Sequence, residues 1–221
     1  MLIPLLAACG GAERDDAELA ALEAKSGRPA PASSAATPAA ATSSASAPVI
    51  VRGADGAEVM TVRLDGSAVD LSVTEAGQKH ELRGEARDTG KRKYKIGGGA
   101  VSYEIKSSDG GFKLRTADGK LRWKVKITPE KIKISDNEEN NNPFELKVRD
   151  GDRVKVVAPG DRELGNVRFA ASKIEVESAG GVTRFSIDNP KPAGAFGVLL
   201  LDTIPANERA ILLAEIFSRG R

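Results

Sequence analysis

Five Asp-Gly dipeptides, Asp55-Gly56, Asp65-Gly66, Asp109-Gly110, Asp118-Gly119 and Asp150-Gly151, cut this 221-residue chain into short segments. Asp-Gly suits a two-residue β-hairpin turn because both central positions take positive φ, which aspartate tolerates and glycine adopts freely. The segments between the turns alternate apolar and polar residues. Leu121, Trp123, Val125 and Ile127 alternate with Arg122, Lys124 and Lys126, the two-residue period of a strand with one buried face. The same period runs through Met60, Val62 and Leu64, through Tyr94 and Ile96, and through Val101, Tyr103 and Ile105. Ile132 with Ile134, and Ile174 with Val176, continue it. About twelve strands are expected, more than one flat open sheet usually carries. The predicted fold over residues 49–190 is therefore mainly β, an antiparallel meander closed as a barrel or folded into a sandwich.

After Pro190 and Pro192 the period changes. Ala193 to Asp202 is small and apolar, and Pro205 to Ser218 reads as a helix, with Thr203 as N-cap, Glu208 near its positive end and Arg219-Gly220 at its stop. Ile211, Leu212, Ala214, Ile216 and Phe217 spread over more than half its circumference, so the helix must be buried. Segment 191–221 is predicted to pack on an end or in the interior of the β domain. No run of about 20 apolar residues exists to span a bilayer as a helix.

Residues 10–48 differ again. From Ser26 to Pro48 the chain is almost entirely Ala, Ser, Thr and Pro, too poor in apolar surface to offset the entropy of ordering. Its prolines make it a semi-stiff disordered spacer. Ahead of it stands Leu6-Ala7-Ala8-Cys9, with the only cysteine of the chain. This run resembles the lipobox of bacterial lipoproteins, in which a signal peptide is cut before the cysteine and the thiol and new amino group are acylated. The resemblance implies that residues 1–9 are the end of a signal peptide whose start lies upstream of Met1. It also implies that lipid on Cys9 tethers an extracytoplasmic protein to a bacterial membrane. Gly10, where some relatives carry a retaining aspartate, favours the outer membrane. A single cysteine leaves no internal disulfide.

The hairpin series Phe112 to Ile134, the pair Glu145 to Val157 and the apolar stretch Ala195 to Leu201 resemble, in their order, the tubby-like barrels, which include the LURP-one-related proteins and the scramblases. That resemblance implies a closed barrel around a hydrophobic C-terminal helix and, for function, an anionic-lipid-binding barrel.

Little in the sequence points to catalysis. His80 is the sole histidine and lies in a polar strand start, with no serine elbow anywhere; an exposed strand residue is expected. The oxygen-rich run Asp136 to Asn142 lacks the alternating acids and central glycine of a calcium loop, so a solvated hairpin loop is expected and no metal is assigned. Gly97-Gly98-Gly99 precedes a strand, whereas a phosphate cradle needs a helix N-terminus. No cofactor is implied.

Charge is distributed unevenly. The whole chain carries +2, but Lys91 to Lys133 holds thirteen basic residues against four acidic ones. Lys113, Arg115, Arg122, Lys124, Lys126, Lys131 and Lys133 form the candidate face for an anionic lipid or glycan. Lysines on exposed strands also serve solubility and discourage edge pairing. With few aromatics for stacking, nucleic acid is not expected as a partner. The sequence thus points to a membrane-tethered, non-catalytic binding or scaffold module of the cell envelope. The alternatives are an extracytoplasmic enzyme with a carboxylate-based site, or a tubby-like lipid-binding barrel.

Overall fold

The computed structural model of the chain describes residues 47–221 except 89, 150, 189 and 190. Cys9 with its lipobox, and the expected spacer up to residue 46, lie outside the described residues. Strands β1 (Val49–Gly53), β2 (Glu58–Asp65), β3 (Ala68–Glu75), β4 (Gln78–Asp88), β5 (Lys91–Ile96), β6 (Val101–Ser108) and β7 (Gly111–Thr116) make one half of the wall. The other half is β8 (Leu121–Ile127), β9 (Lys131–Ser135), β10 (Phe144–Arg149), β11 (Arg153–Ala158), β12 (Arg162–Phe169), β13 (Lys173–Ser178) and β14 (Thr183–Asp188). Each strand pairs antiparallel with its neighbours in sequence, and β1 pairs with β14, so the sheet closes on itself. The architecture is a closed barrel rather than a sandwich, with fourteen strands where the alternation suggests about twelve. A strand of five residues such as β1 is too short for its period to stand out.

The turns refine the Asp-Gly reading. The glycine of each of the five pairs has positive φ, but Asp55, Asp65, Asp109 and Asp118 do not. Among the turns whose two central residues both take positive φ are Ala76-Gly77 between β3 and β4, at 49° and 77°, and Gly97-Gly98 between β5 and β6, at 56° and 72°. A neighbouring glycine relieves aspartate of that conformation, because glycine has no Cβ to clash with its own backbone.

Alternation puts Val62, Leu71, Leu82, Ile105, Leu114, Val125, Ile134, Leu146, Val156, Val167, Val176 and Ile187 inside, each at most 3% exposed. Wall side chains alone fill a barrel of about eight strands. At fourteen the lumen needs a filling, and the C-terminal segment supplies it. A 3₁₀ stretch, Gly194–Leu200, is buried over Ala195 to Leu200 and packs on β10 to β13. The chain turns at Asp202–Pro205 and returns as helix α1 (Ala206–Ser218). The two arms close on each other, with the Phe196 and Phe217 rings 5.8 Å apart. The Ala195 N–H donates to the Arg221 carbonyl at 3.3 Å. Ala210 through Ala214 and Ile216 are all fully buried, as a helix apolar on every side requires. Pro205, not Thr203, occupies the N-cap, and no side chain caps the helix; Thr203 is exposed in the preceding turn.

Outside, the strands present Lys, Arg, Glu, Asp, Ser and Thr. This polar-out, apolar-in pattern is the reverse of the apolar outer band and polar lumen of a membrane-spanning barrel.

Candidate functional site

Two glutamates interrupt the apolar helix. Glu208 and Glu215 are seven residues apart, which puts them on one face about 10 Å apart along the axis. They are 2% and 1% exposed, and each is surrounded by donors from the wall. Glu215 accepts from Arg92 Nη1 at 2.5 Å, Tyr94 OH at 2.7 Å and Arg219 Nη1 at 2.6 Å. Glu208 accepts from Arg122 Nε at 2.9 Å, Trp123 Nε1 at 2.5 Å and, more loosely, Tyr103 OH at 3.4 Å. Gly84 seats this lock: it lies opposite Tyr94 in register, and a Cβ there would meet the ring edge at 2.5 Å. Burial and the Glu215 carboxylate both push the Tyr94 phenol well above its ordinary value. Burial works against the Arg92 charge, but Glu215 outweighs it and holds the guanidinium above its ordinary value. Both carboxylates are saturated by cations and donors. They pin the helix to the wall and leave no free base.

The sequence period alone puts Arg122 beside Lys124 and Lys126. A β-bulge overrides it: Leu114 pairs with Trp123 and Arg115 with Leu121, leaving Arg122 as the extra residue. The bulge re-aims its side chain, so Arg122 turns to Glu208 and leaves the outer basic face.

The other candidate cations do meet outside. Lys113 and Arg115 on β7, Lys124 and Lys126 on β8, and Lys131 and Lys133 on β9 project from adjacent strands. Register then reveals a pattern that sequence counting hides. Lys91 lies opposite Lys106, Lys106 opposite Lys113, and Lys113 opposite Lys124. One ladder across four strands thus carries the same charge at every rung. Lys126 faces Lys133, and Lys131 faces Lys147, which faces Lys155. Like charges directly opposite one another are destabilising.

Acids compensate part of this wall. Glu138, from the loop between β9 and β10, meets Lys113 at 2.6 Å, Arg115 at 2.7 Å and Lys124 at 4.0 Å. Glu145 meets Lys147 at 2.7 Å and Lys133 at 3.2 Å. The lysine hydrogen bonds, foremost from Lys113 to Glu138 and from Lys147 to Glu145, hold both carboxyls below the ordinary range. Lys106, Lys126 and Lys131 have no ion-pair partner among the described residues.

Other features are quieter. His80 is half-buried opposite Val73 rather than exposed. The loop oxygens of Asp136 to Asn142 serve the loop itself, Asn137 bonding Asp136 and both the carbonyl and N–H of Asn141. No group of three His, Cys, Asp or Glu suited to a metal occurs among the described residues. Gly97 to Gly99 form the turn between β5 and β6, with the Gly97 N–H bonded to the Glu81 carbonyl at 2.8 Å. A groove of about 630 Å³ runs over the outside of β2 to β4 and carries Glu58, Asp70 and Glu81. Asp70 is paired with Arg83 at 3.2 Å and Glu81 with Lys79 at 3.5 Å.

Sequence reading missed Glu208 and Glu215 as a pair, although two acids seven apart on an otherwise apolar helix signal buried cationic partners. It also missed Glu138 as the partner of the basic face. The chain matches no protein-family model, no curated protein and no solved structure.

Proposed function

We propose that the chain is a non-catalytic binding module that docks its lysine-laddered wall, from β5 to β9, on membranes rich in anionic lipid. With no relative to lend a function, the reading rests on charge geometry. The observation that carries it is the ladder Lys91–Lys106–Lys113–Lys124, joined by the unpaired Lys126 and Lys131. A fold keeps opposed like charges at a cost in stability, and a negatively charged surface relieves that cost by lying across them. Each lysine near an anionic bilayer contributes about 1 kcal/mol.

The lipobox fits this reading. Acylation of both the thiol and the amino group of Cys9 meets the two-signal requirement for a stable anchor, and the basic wall lays the tethered barrel against the surface. Under this proposal the protein is an extracytoplasmic bacterial lipoprotein whose barrel lies against anionic headgroups. A carboxylate-based enzyme has weaker support, because the buried glutamates are saturated and Asp70 and Glu81 in the outer groove are ion-paired.

Vesicle co-sedimentation tests the docking. Replacing Lys106, Lys126 and Lys131 together with Gln is expected to weaken retention on phosphatidylserine vesicles by roughly a hundredfold at low salt. The unfolding midpoint is expected to stay or rise. Unchanged retention ends the proposal. For the tether, Cys9→Ser is expected to abolish lipid mass in mass spectrometry and release the protein from the membrane fraction.

A further inference from the structure

We propose that Lys113, Arg115 and Lys124 form a binding site for a phosphomonoester, and that Glu138 fills it here as a built-in competitor. The inference rests on the membrane-docking reading and specifies the headgroup that the wall prefers. Three cations from two adjacent strands converge on one carboxylate. Its two oxygens are taken by Lys113 at 2.6 Å and Arg115 at 2.7 Å. Lys124 stays 4.0 Å from the carboxylate, and its ammonium donates to the Glu138 backbone carbonyl instead. A carboxylate has too few oxygens for this trio. A phosphomonoester offers three terminal oxygens and close to two negative charges, so each cation gains a direct partner.

The competitor is built to leave. Glu138 is 42% exposed, and an exposed ion pair contributes little net stability because water takes over both partners. Apart from the Lys124 bond to the Glu138 carbonyl, the hydrogen bonds that shape its loop are internal or run to Ser135: Ser135 Oγ donates to Asn140, and Asn137 bonds Asn141 twice. None of these involves the trio. Asn140 and Asn142 hold left-handed backbone, with φ of 61° and 47°, a conformation asparagine tolerates. Glu138 therefore withdraws without unravelling the loop or the strands.

Co-sedimentation of the whole protein on two vesicle types, phosphatidic acid and phosphatidylserine diluted in phosphatidylcholine to equal surface charge, tests the site. Glu138→Gln is expected to tighten binding to phosphatidic acid about fivefold, the scale of one exposed ion pair, with little change on phosphatidylserine. Lys113→Gln and Lys124→Gln are expected to erase that preference by weakening retention on phosphatidic acid well beyond the loss on phosphatidylserine, which is that of the one ladder charge removed. An equal gain of Glu138→Gln on both lipids overturns the site, since a change in net charge then explains it. Inorganic phosphate, added as competitor, is expected to displace Glu138→Gln from phosphatidic acid more readily than from phosphatidylserine. Side-chain NMR shifts of Lys113 and Arg115 with phosphate, without any preference between vesicles, support the site but assign it to free phosphate. No phosphate effect in either assay overturns it. Wild-type protein that ignores phosphatidylserine altogether sinks the docking reading instead, so the two failures are distinct.

Discussion

Two charge ladders cross β5 to β7, two residues apart, and they follow opposite rules. In one, Glu85 faces Lys93, Lys93 faces Glu104, and Glu104 faces Arg115, so the sign alternates at every step. In the other, Lys91, Lys106, Lys113 and Lys124 repeat one sign. Exposure differs as well: the alternating ladder is half-buried throughout, whereas Lys91 and Lys106 of the repeating one are exposed, where water and salt screen part of the repulsion. The alternating ladder is what stability alone favours. The repeating ladder sets like charges opposite one another, a repulsion that Glu138 offsets at Lys113 and Lys124 and that, under the docking proposal, an anionic surface offsets further.

Both ladders share strands β5 to β7 and the interior frame beneath them. Glu215→Ala is the hardest blow to it: the change strands Arg92, Tyr94 and Arg219 without their acceptor. Removing one partner of a buried ion pair costs about 3–5 kcal/mol, to be read from chemical denaturation. Both ladders are expected to loosen together in hydrogen exchange, and a loss confined to one of them breaks the comparison. Next comes Glu104→Lys, which converts the alternating ladder into a repeating one. It exchanges two favourable cross-strand pairs for two repulsive ones and is expected to cost about 1–2 kcal/mol while raising vesicle retention. Lys106→Glu on the same strand makes the mirror change. It is expected to gain about 1 kcal/mol and to weaken retention, so stability and binding move in opposite directions. Stability that falls in both variants would remove the basis for reading the ladders as opposites.

The smallest effects come from pH, and they separate inside from outside. Glu138 and Glu145 on the wall have lowered carboxyl values, because lysine hydrogen bonds favour the anion. Their contribution is therefore complete above the ordinary glutamate range and is lost as pH falls through their lowered values. Tyr94 in the interior is shifted upward by burial and by Glu215. Its contribution is complete below about pH 10, the ordinary phenol value, and is lost as pH rises through the raised one. Denaturation across pH is expected to show both declines, and Tyr94→Phe is expected to flatten only the alkaline one.

Much of the barrel is legible in the sequence. Period-two runs such as Leu121 to Ile127 fix which side chains enter the core, and glycine-bearing turns fix where strands end. The helix at Pro205 to Ser218 announces its burial by having apolar residues on every side. What stays hidden is who faces whom. The bulge at Arg122 breaks a flawless alternation because Glu208, 86 residues later, offers a buried carboxylate. The lysine ladders depend on register, and a slip of one residue would present every side chain to the opposite face. Glu138 looks like an ordinary loop acid until the loop folds back on β7 and β8. Composition locates the excess of cations between Lys91 and Lys133, but only pairing tells which are balanced.

The plug sets the tempo of assembly. Synthesis delivers Val49 to Asp188 first, and those strands have only one another to line a tube too wide for their own side chains. The filling at Gly194 to Ser218 emerges afterwards, and β1 cannot meet β14 until nearly the whole wall exists. The nascent polypeptide thus has no early stopping point at which part of it is satisfied. Until Gly194 to Ser218 is in place, the wall lacks its filling.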